Sequence, residues 1–213
     1  MKEVFKRGIS GTIYITIMWI GISFSKFSFH LLFFILAIIS LYEMWKLRKG
    51  KSKLLAFSYI ILPFLLIHFF GTDNQNHNQL VVDRNIVLLI LILTWSFDTF
   101  AYLIGVKFGK HKIMPSISPK KSWEGFFGGY IFTVIMAYIT AKYFTTNLKL
   151  TIIISILIPL TATIGDFIES YYKREANVKD SGNLIPGHGG ILDRIDALMI
   201  TIPITYIIIQ ILQ

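Results

Sequence analysis

Apolar residues run along this chain in seven long blocks, separated by short polar stretches that hold most of its charge. Each block approaches the roughly 20 residues that a helix needs to cross the hydrocarbon core of a bilayer. The pattern predicts helices over residues 9–24, 28–45, 54–70, 86–106, 126–144, 150–168 and 195–213. The first block is short and contains Gly11 and Gly21, which suits a tilted, re-entrant or tightly paired helix and leaves six spans as the other count. No small-residue cleavage site follows it, so it reads as a retained helix and not a removable signal. With 54% hydrophobic residues and a mean hydropathy of +0.63, the chain is too apolar for an ordinary soluble domain of its length. The expected fold is an all-α polytopic integral membrane protein of about seven transmembrane helices. It reads as a single transmembrane domain over 1–213, with N-terminal helices to residue 85 and the chemistry-bearing helices and loops over 86–213.

The polar breaks are lopsided in charge. Lys2, Lys6 and Arg7 precede the first block; Lys46, Arg48, Lys49, Lys51 and Lys53 follow the second; Lys107, Lys110, Lys112, Lys120 and Lys121 follow the fourth. Lys173, Arg174, Lys179 and Arg194 lie between the sixth and seventh. Only Lys26, Arg84, Lys142 and Lys149 of the 21 Lys and Arg remain for the other breaks. With seven spans the four rich segments share one face, and retention of Lys and Arg on the cytoplasmic side predicts the N-terminus inside and the C-terminus outside. The net charge of +9 is then a topological signal with attraction to anionic headgroups, not a nucleic-acid footprint. The absence of cysteine excludes disulfides, thiolate catalysis and cysteine-ligated metals. The polar run 71–79 reads as an external loop with a solvated His77.

Three polar groups carry candidate chemistry. Asp98 interrupts the fourth block, where a carboxylate costs about 3 kcal/mol or more unless paired or hydrated. Tyr102 and Gly105 share its helical face, with Gly109 a turn further on. Asp98 is either a ligand-contacting acid or a structural one paired with a lysine elsewhere in the bundle. The second group is the loop from Ser116 to Gly125, where Ser118, Lys120, Lys121 and Glu124 precede a helix start and the Gly128–Gly129 pair. Hydroxyls, lysines and free N–H groups there suit phosphate, although paired lysines also serve topology. The third is Gly165–Asp196, which crowds Asp166, Glu169, Asp180, Asp193 and Asp196 against Lys173, Arg174, Lys179 and Arg194. Asp166, Glu169 and Lys173 share a helical face with Ser170 beside them, a place where a metal site can begin. Asp193 and Asp196 are i and i+3 at a helix start, where negative charge is favoured for structural reasons as well. Between them, Pro186-Gly187-His188-Gly189-Gly190 is irregular backbone of the kind tolerated at membrane depth where it is buried or lines a wet cavity. Acids and bases in this mixture suit a metal ion and phosphates together.

Ser170-Tyr-Tyr-Lys173-Arg174, Lys179-Asp180-Ser-Gly182 and Pro186-Gly-His188-Gly189-Gly190-Ile-Leu-Asp193-Arg194-Ile-Asp196 resemble the defining motif of the phosphatidate cytidylyltransferases, or CDP-diacylglycerol synthases. Asp98-Thr-Phe-Ala-Tyr102, Ser118-Pro-Lys-Lys121-Ser-Trp-Glu124-Gly125 and Gly165-Asp166 resemble that family's upstream motifs, so the likeness runs over about residues 94–200. Ala197 departs from it, standing where a serine is expected. The resemblance implies transfer of a cytidylyl group from CTP to phosphatidic acid, giving CDP-diacylglycerol and pyrophosphate for phospholipid biosynthesis. It implies Mg²⁺ held principally by Asp166 and Asp193, with Glu169 and Asp196 as helpers. Lys173, Arg174, Lys179 and Arg194 then clamp phosphates. Ser118, Lys120 and Lys121 close over the nucleotide, and Asp98, Glu124, Ser170, Asp180, Gly189 and Gly190 complete the substrate site. His188 either bonds a phosphate or the leaving group, or is a structural turn residue. A homodimer in a bacterial-type inner membrane is also implied, with active-site loops and a polar cavity facing the cytoplasm. Two alternatives remain on the residues alone. One is a related enzyme using another acidic lipid or phosphorylating a lipid alcohol; the other is a transporter, against which the lack of an inverted repeat counts.

Overall fold

The computed structural model describes residues 2–71, 83–144 and 148–212. These residues form seven α-helices: α1 (Lys2–Ser23), α2 (Lys26–Leu47), α3 (Leu54–Ile67, prolonged by a 3₁₀ turn His68–Gly71), α4 (Arg84–Phe108), α5 (Trp123–Phe144), α6 (Leu148–Glu175) and α7 (Leu192–Leu212). Among the described residues six, α2 to α7, are long and apolar enough to cross a membrane. The polar stretch after Gly71, with His77, lies outside the described residues.

Helix ends follow local chemistry. Ser25 and Ser28 form a reciprocal capping box at the start of α2. Asp83 caps α4 by accepting from Ile86 N at 3.1 Å, and Gly109 stops the same helix. The structure departs from the expected 107–121 loop by folding part of it into an antiparallel hairpin, β1 (Lys112–Met114) and β2 (Ser118–Ser122). Pro115 follows Met114 in a turn closed by Ile117 N donating to Met114 O at 3.2 Å, a position that the fixed φ of proline suits. The sixth helix also runs past the expected 168, to Glu175, and so carries Lys173 and Arg174 on regular backbone.

Contacts between distant segments show that the four basic stretches meet at one end of the bundle. Arg48 pairs with Glu175 at the end of α6, Arg174 reaches Ile117 O in the hairpin at 3.4 Å, and Ser10 of α1 donates to Pro186 O at 2.9 Å. At the other end Arg84 reaches Ile22 O at 3.5 Å and Phe69 packs on Tyr206.

The core joins all seven helices, from Met18 and Phe33 through Leu89 to Ile154 and Ile202. Large apolar side chains such as Phe34, Leu65, Ile131, Tyr138 and Ile211 face outward, as a bundle solvated by lipid requires. Because lipid is as apolar as leucine, helix association in such a bundle rests on close packing more than on exclusion of water. Two of the buried hydroxyls are absorbed locally: Thr94 and Thr133 donate to carbonyls four residues back at 2.7 and 2.8 Å. Helices α4 and α5 meet through small residues, and a Cβ placed at Gly129 would lie 2.8 Å from Phe97 O and 2.9 Å from Ala101 Cβ. Gly129→Leu is therefore expected to push α4 and α5 apart and cost about 1–3 kcal/mol. Thermal unfolding in detergent checks this, with Gly8→Ala not destabilised because nothing lies within 4 Å of that position.

Candidate active site

Near the polar end, α6 and α7 cross so closely that a Cβ at Gly165 would run into the main chain of Asp196 and Ala197. Tyr59 of α3 fastens the crossing, its hydroxyl donating to Gly165 O at 3.0 Å and lying 3.3 Å from Asp196 O. The crossing places Asp166 and Glu169 of α6 against Asp196 of α7, with one oxygen from each within 4.8 Å of the others. An all-oxygen group of this kind fits a hard divalent cation. Glu169 is fully buried, and apart from the ion pair with Lys173 its carboxylate has no hydrogen-bond donor among the described residues. A buried acid short of donors is a further sign that the group suits a cation. Asp196 Oδ1 accepts from Ala197 N at 2.8 Å, so the position where a serine was expected serves here through its backbone.

Asp193, expected with Asp166 as a principal ligand, is not one of these three mutually close acids, yet it adjoins Glu169 through their shared partner Lys173. Its Oδ1 accepts from Lys173 Nζ at 2.7 Å. Its Oδ2 accepts from Ser181 N at 2.8 Å and Gly190 N at 2.7 Å, and lies 3.0 Å from Ser181 Oγ. Asp193 thus folds the 176–191 loop onto the helix start, while Lys173 bridges it to Glu169.

Two cavities flank the carboxylates. The larger, of about 600 Å³, lies between α4, the hairpin, α5 and α6, and is lined by Asp98, Tyr102, Ser118, Lys120, Lys121 and Asp166. Lys121 Nζ pairs with Asp166 Oδ2 at 2.5 Å. The second, of about 360 Å³, lies between α1, α4 and α7 and includes Tyr14, Asp98, His188, Asp193, Arg194 and Asp196. Asp98 opens into both; Tyr102 and Gly105 share its side of α4 as the spacing predicted, and Gly109, just past the helix end, lines the larger cavity with them.

The loop before α7 surrounds a further polar recess of about 570 Å³, lined by Arg7, Lys179, Asp180, His188, Gly189 and Arg194. Gly187 and Gly189 hold φ of 78° and 86°, which glycine adopts without strain. His188 Nδ1 lies 2.9 Å from Ser10 Oγ. Burial, then the charges of Arg194 and Arg7, lower its pKa below the usual imidazole range, so it is neutral at pH 7.

Several expected substrate residues have other partners. The Glu124 carboxylate grips His111, accepting from its main-chain N at 3.2 Å and meeting Nδ1 at 2.6 Å; it ties the hairpin base to α5. Ser170 is buried on α6 and lines none of these cavities. Gly190 is buried and offers its N–H to Asp193. Arg174 bonds Val178 O at 2.8 Å and reaches the hairpin, so it acts as a strut in this conformation.

Sequence reading missed four residues from the N-terminal helices. Besides Tyr59 and Ser10, Tyr14 donates to Arg194 O at 3.3 Å. Glu43, an acid near the end of an apolar block, accepts from Ser181 Oγ, Ile191 N and Leu192 N at 2.8, 3.0 and 2.8 Å. The rule that singled out Asp98, an acid within an apolar run, applies equally to Glu43.

Residues 52–212 match the model of the Cytidylyltransferase family. Phosphatidate cytidylyltransferases of Rickettsia typhi and Rickettsia bellii are 32% and 34% identical, over 96% and 97% of this chain and 91% of each relative. That of Thermotoga maritima is 44% identical over 59% of this chain and 49% of its own. The matched stretch spans the hairpin, the acidic crossing and the glycine loop, and with this coverage the chain belongs to the phosphatidate cytidylyltransferase family.

Proposed function

We propose that the protein transfers a cytidylyl group from CTP to phosphatidic acid, releasing pyrophosphate and leaving CDP-diacylglycerol in the membrane. The observation that carries this reading is the Asp166–Glu169–Asp196 group set in the wall between two cavities, with Lys121 of the hairpin against it. Mg²⁺ is the cation these three acids would hold, and when bound it would offset phosphate charge. The hairpin cavity receives the nucleotide, with Ser118, Lys120 and Lys121 as donors to its phosphates. The lipid phosphate enters beside His188 and Arg194. An adjoining apolar groove along α1 and α2, lined by Ile9, Ile13, Ile17, Met18 and Leu36, accepts hydrocarbon chain.

The chemistry asks little covalent work of the protein. An oxygen of the lipid phosphate, already ionised at neutral pH, forms a bond to the α-phosphorus of CTP as the bond to the β-phosphate oxygen breaks. The electron pair leaves with pyrophosphate, and no protein base is required. The main tasks are alignment and neutralisation. Lys121 and Lys120 balance the triphosphate, Arg194 and Lys179 face the polar recess, and Lys173 keeps Glu169 and Asp193 in place. By the positive-inside rule the end holding these groups faces the cytoplasm of a bacterial-type cell, so CTP arrives from water and lipid from the side.

CTP-dependent conversion of phosphatidic acid by purified protein in mixed micelles tests the reading. Mg²⁺-dependent formation of CDP-diacylglycerol and pyrophosphate in equal amounts supports it; release of CDP would instead indicate a lipid kinase. Asp166→Asn should lower turnover on the order of 100-fold or more. Its melting temperature should stay near that of the unmodified protein, because the lost ion pair with Lys121 is offset by relief of crowding among the carboxylates. Asp193→Asn should behave differently, losing about 1–3 kcal/mol of stability as its hydrogen bonds to Ser181, Gly190 and Lys173 are disrupted. Equal melting temperatures for the two variants would contradict the division of roles.

A further inference from the structure

Glu43 lies on α2, outside the 52–212 stretch matched to the family model, and its side chain enters no cavity described above. It is nevertheless buried, at 4% exposure, and both of its carboxylate oxygens are used. Oε1 accepts from Ile191 N at 3.0 Å; Oε2 accepts from Leu192 N and Ser181 Oγ, each at 2.8 Å. No Lys or Arg nitrogen is paired with it among the described residues, so its partners are the unpaired N–H groups where α7 begins and one hydroxyl. Burying a carboxylate is costly, and a merely space-filling position at this depth is better served by an apolar side chain.

The surroundings are shaped to the carboxylate. A Cβ added at Gly182 would meet first Glu43 Oε1, then Cδ at 3.0 Å and Cγ at 3.4 Å. One added at Gly190 would strike both Glu43 oxygens and Ser181 Oγ. Ser181 is shared: its hydroxyl also lies 3.0 Å from Asp193 Oδ2, so Glu43 and Asp193 grip the same loop residue from opposite helices. Five residues beyond Glu43, Arg48 pairs with Glu175 at the end of α6. The last turns of α2 therefore hold the end of one carboxylate-bearing helix and the start of the other.

We infer that Glu43 is a positioning residue: by capping α7 and holding Ser181, it sets the spacing of Asp196 on α7 from Asp166 and Glu169 on α6, and so the affinity of that group for a divalent cation. The inference rests on the reading of those three acids as the cation site. The effect passes through α7, since Glu43 itself touches neither substrate nor the three carboxylates.

Mn²⁺ binding, followed by the loss of the free-ion electron paramagnetic resonance signal and reversed by Mg²⁺, measures this without any need for turnover. Glu43→Gln keeps the shape but turns an amide NH₂ toward donors, and should weaken Mn²⁺ binding roughly 10-fold, the loss typical when a group supporting metal ligands is removed. Gly182→Ala should reproduce the loss by displacing the carboxylate, and should add little when combined with Glu43→Ala, which clears the space. A merely stabilising glutamate would lower the melting temperature and leave the affinity of the folded protein unchanged. Unaltered Mn²⁺ affinity in both Glu43→Gln and Gly182→Ala, or full additivity of Gly182→Ala with Glu43→Ala, would overturn the inference. If Glu43→Gln does not fold, Gly182→Ala alone and in the pair decides the matter. Weakened binding in the variants of a protein whose unmodified form makes no CDP-diacylglycerol would uphold the inference and refute the proposed function.

Discussion

Three carboxylates brought within 4.8 Å of one another at the crossing of two apolar helices form the constraint on which the rest of this structure depends. Such a group repels itself, and its cost rises as water is removed. The fold meets the cost in several ways. Lys173 lies against Glu169 and Asp193, and Lys121 against Asp166. The absence of a side chain at Gly165 lets the main chains approach, and Tyr59 holds them there. An oxygen-rich group of this kind is suited to a divalent cation.

The same constraint explains the two irregular segments. A helix start leaves N–H groups unpaired, and at the depth of α7 they need acceptors from the protein. Glu43 and Asp193 supply them, and in doing so shape the loop that carries Lys179, His188 and Arg194 to the polar recess. On the opposite side, the hairpin brings Lys121 to Asp166. Glu124 and His111 fix its base, which is why a glutamate expected to meet substrate acts as a fastening instead. Both segments are therefore held by acids whose partners are largely backbone N–H groups.

The N-terminal helices take part in this arrangement. Ser10 meets His188, Tyr14 meets the main chain of Arg194, and Glu43 and Arg48 hold α7 and α6. Their apolar outer faces give the bundle its lipid-facing surface, while a few polar residues pointing inward set the geometry of residues far along the chain.

What the sequence determined by itself was whatever depends on local spacing. Long apolar blocks required helices, and the i, i+3, i+7 placement of Asp166, Glu169 and Lys173 put them on one face of α6. Asp98 with Tyr102 and Gly105 was legible in the same way, and the basic stretches meet at one end of the bundle because successive helices alternate in direction. What the tertiary structure alone decided was which face meets which. Spacing makes Asp193 and Asp196 near neighbours on a helix, yet the approach of α6 groups Asp196 with Asp166 and Glu169, while the 176–191 loop and Lys173 claim Asp193. Glu43 is separated from its partners by well over a hundred residues. Its role follows from the packing of α2 against the start of α7, which no periodicity within either segment encodes.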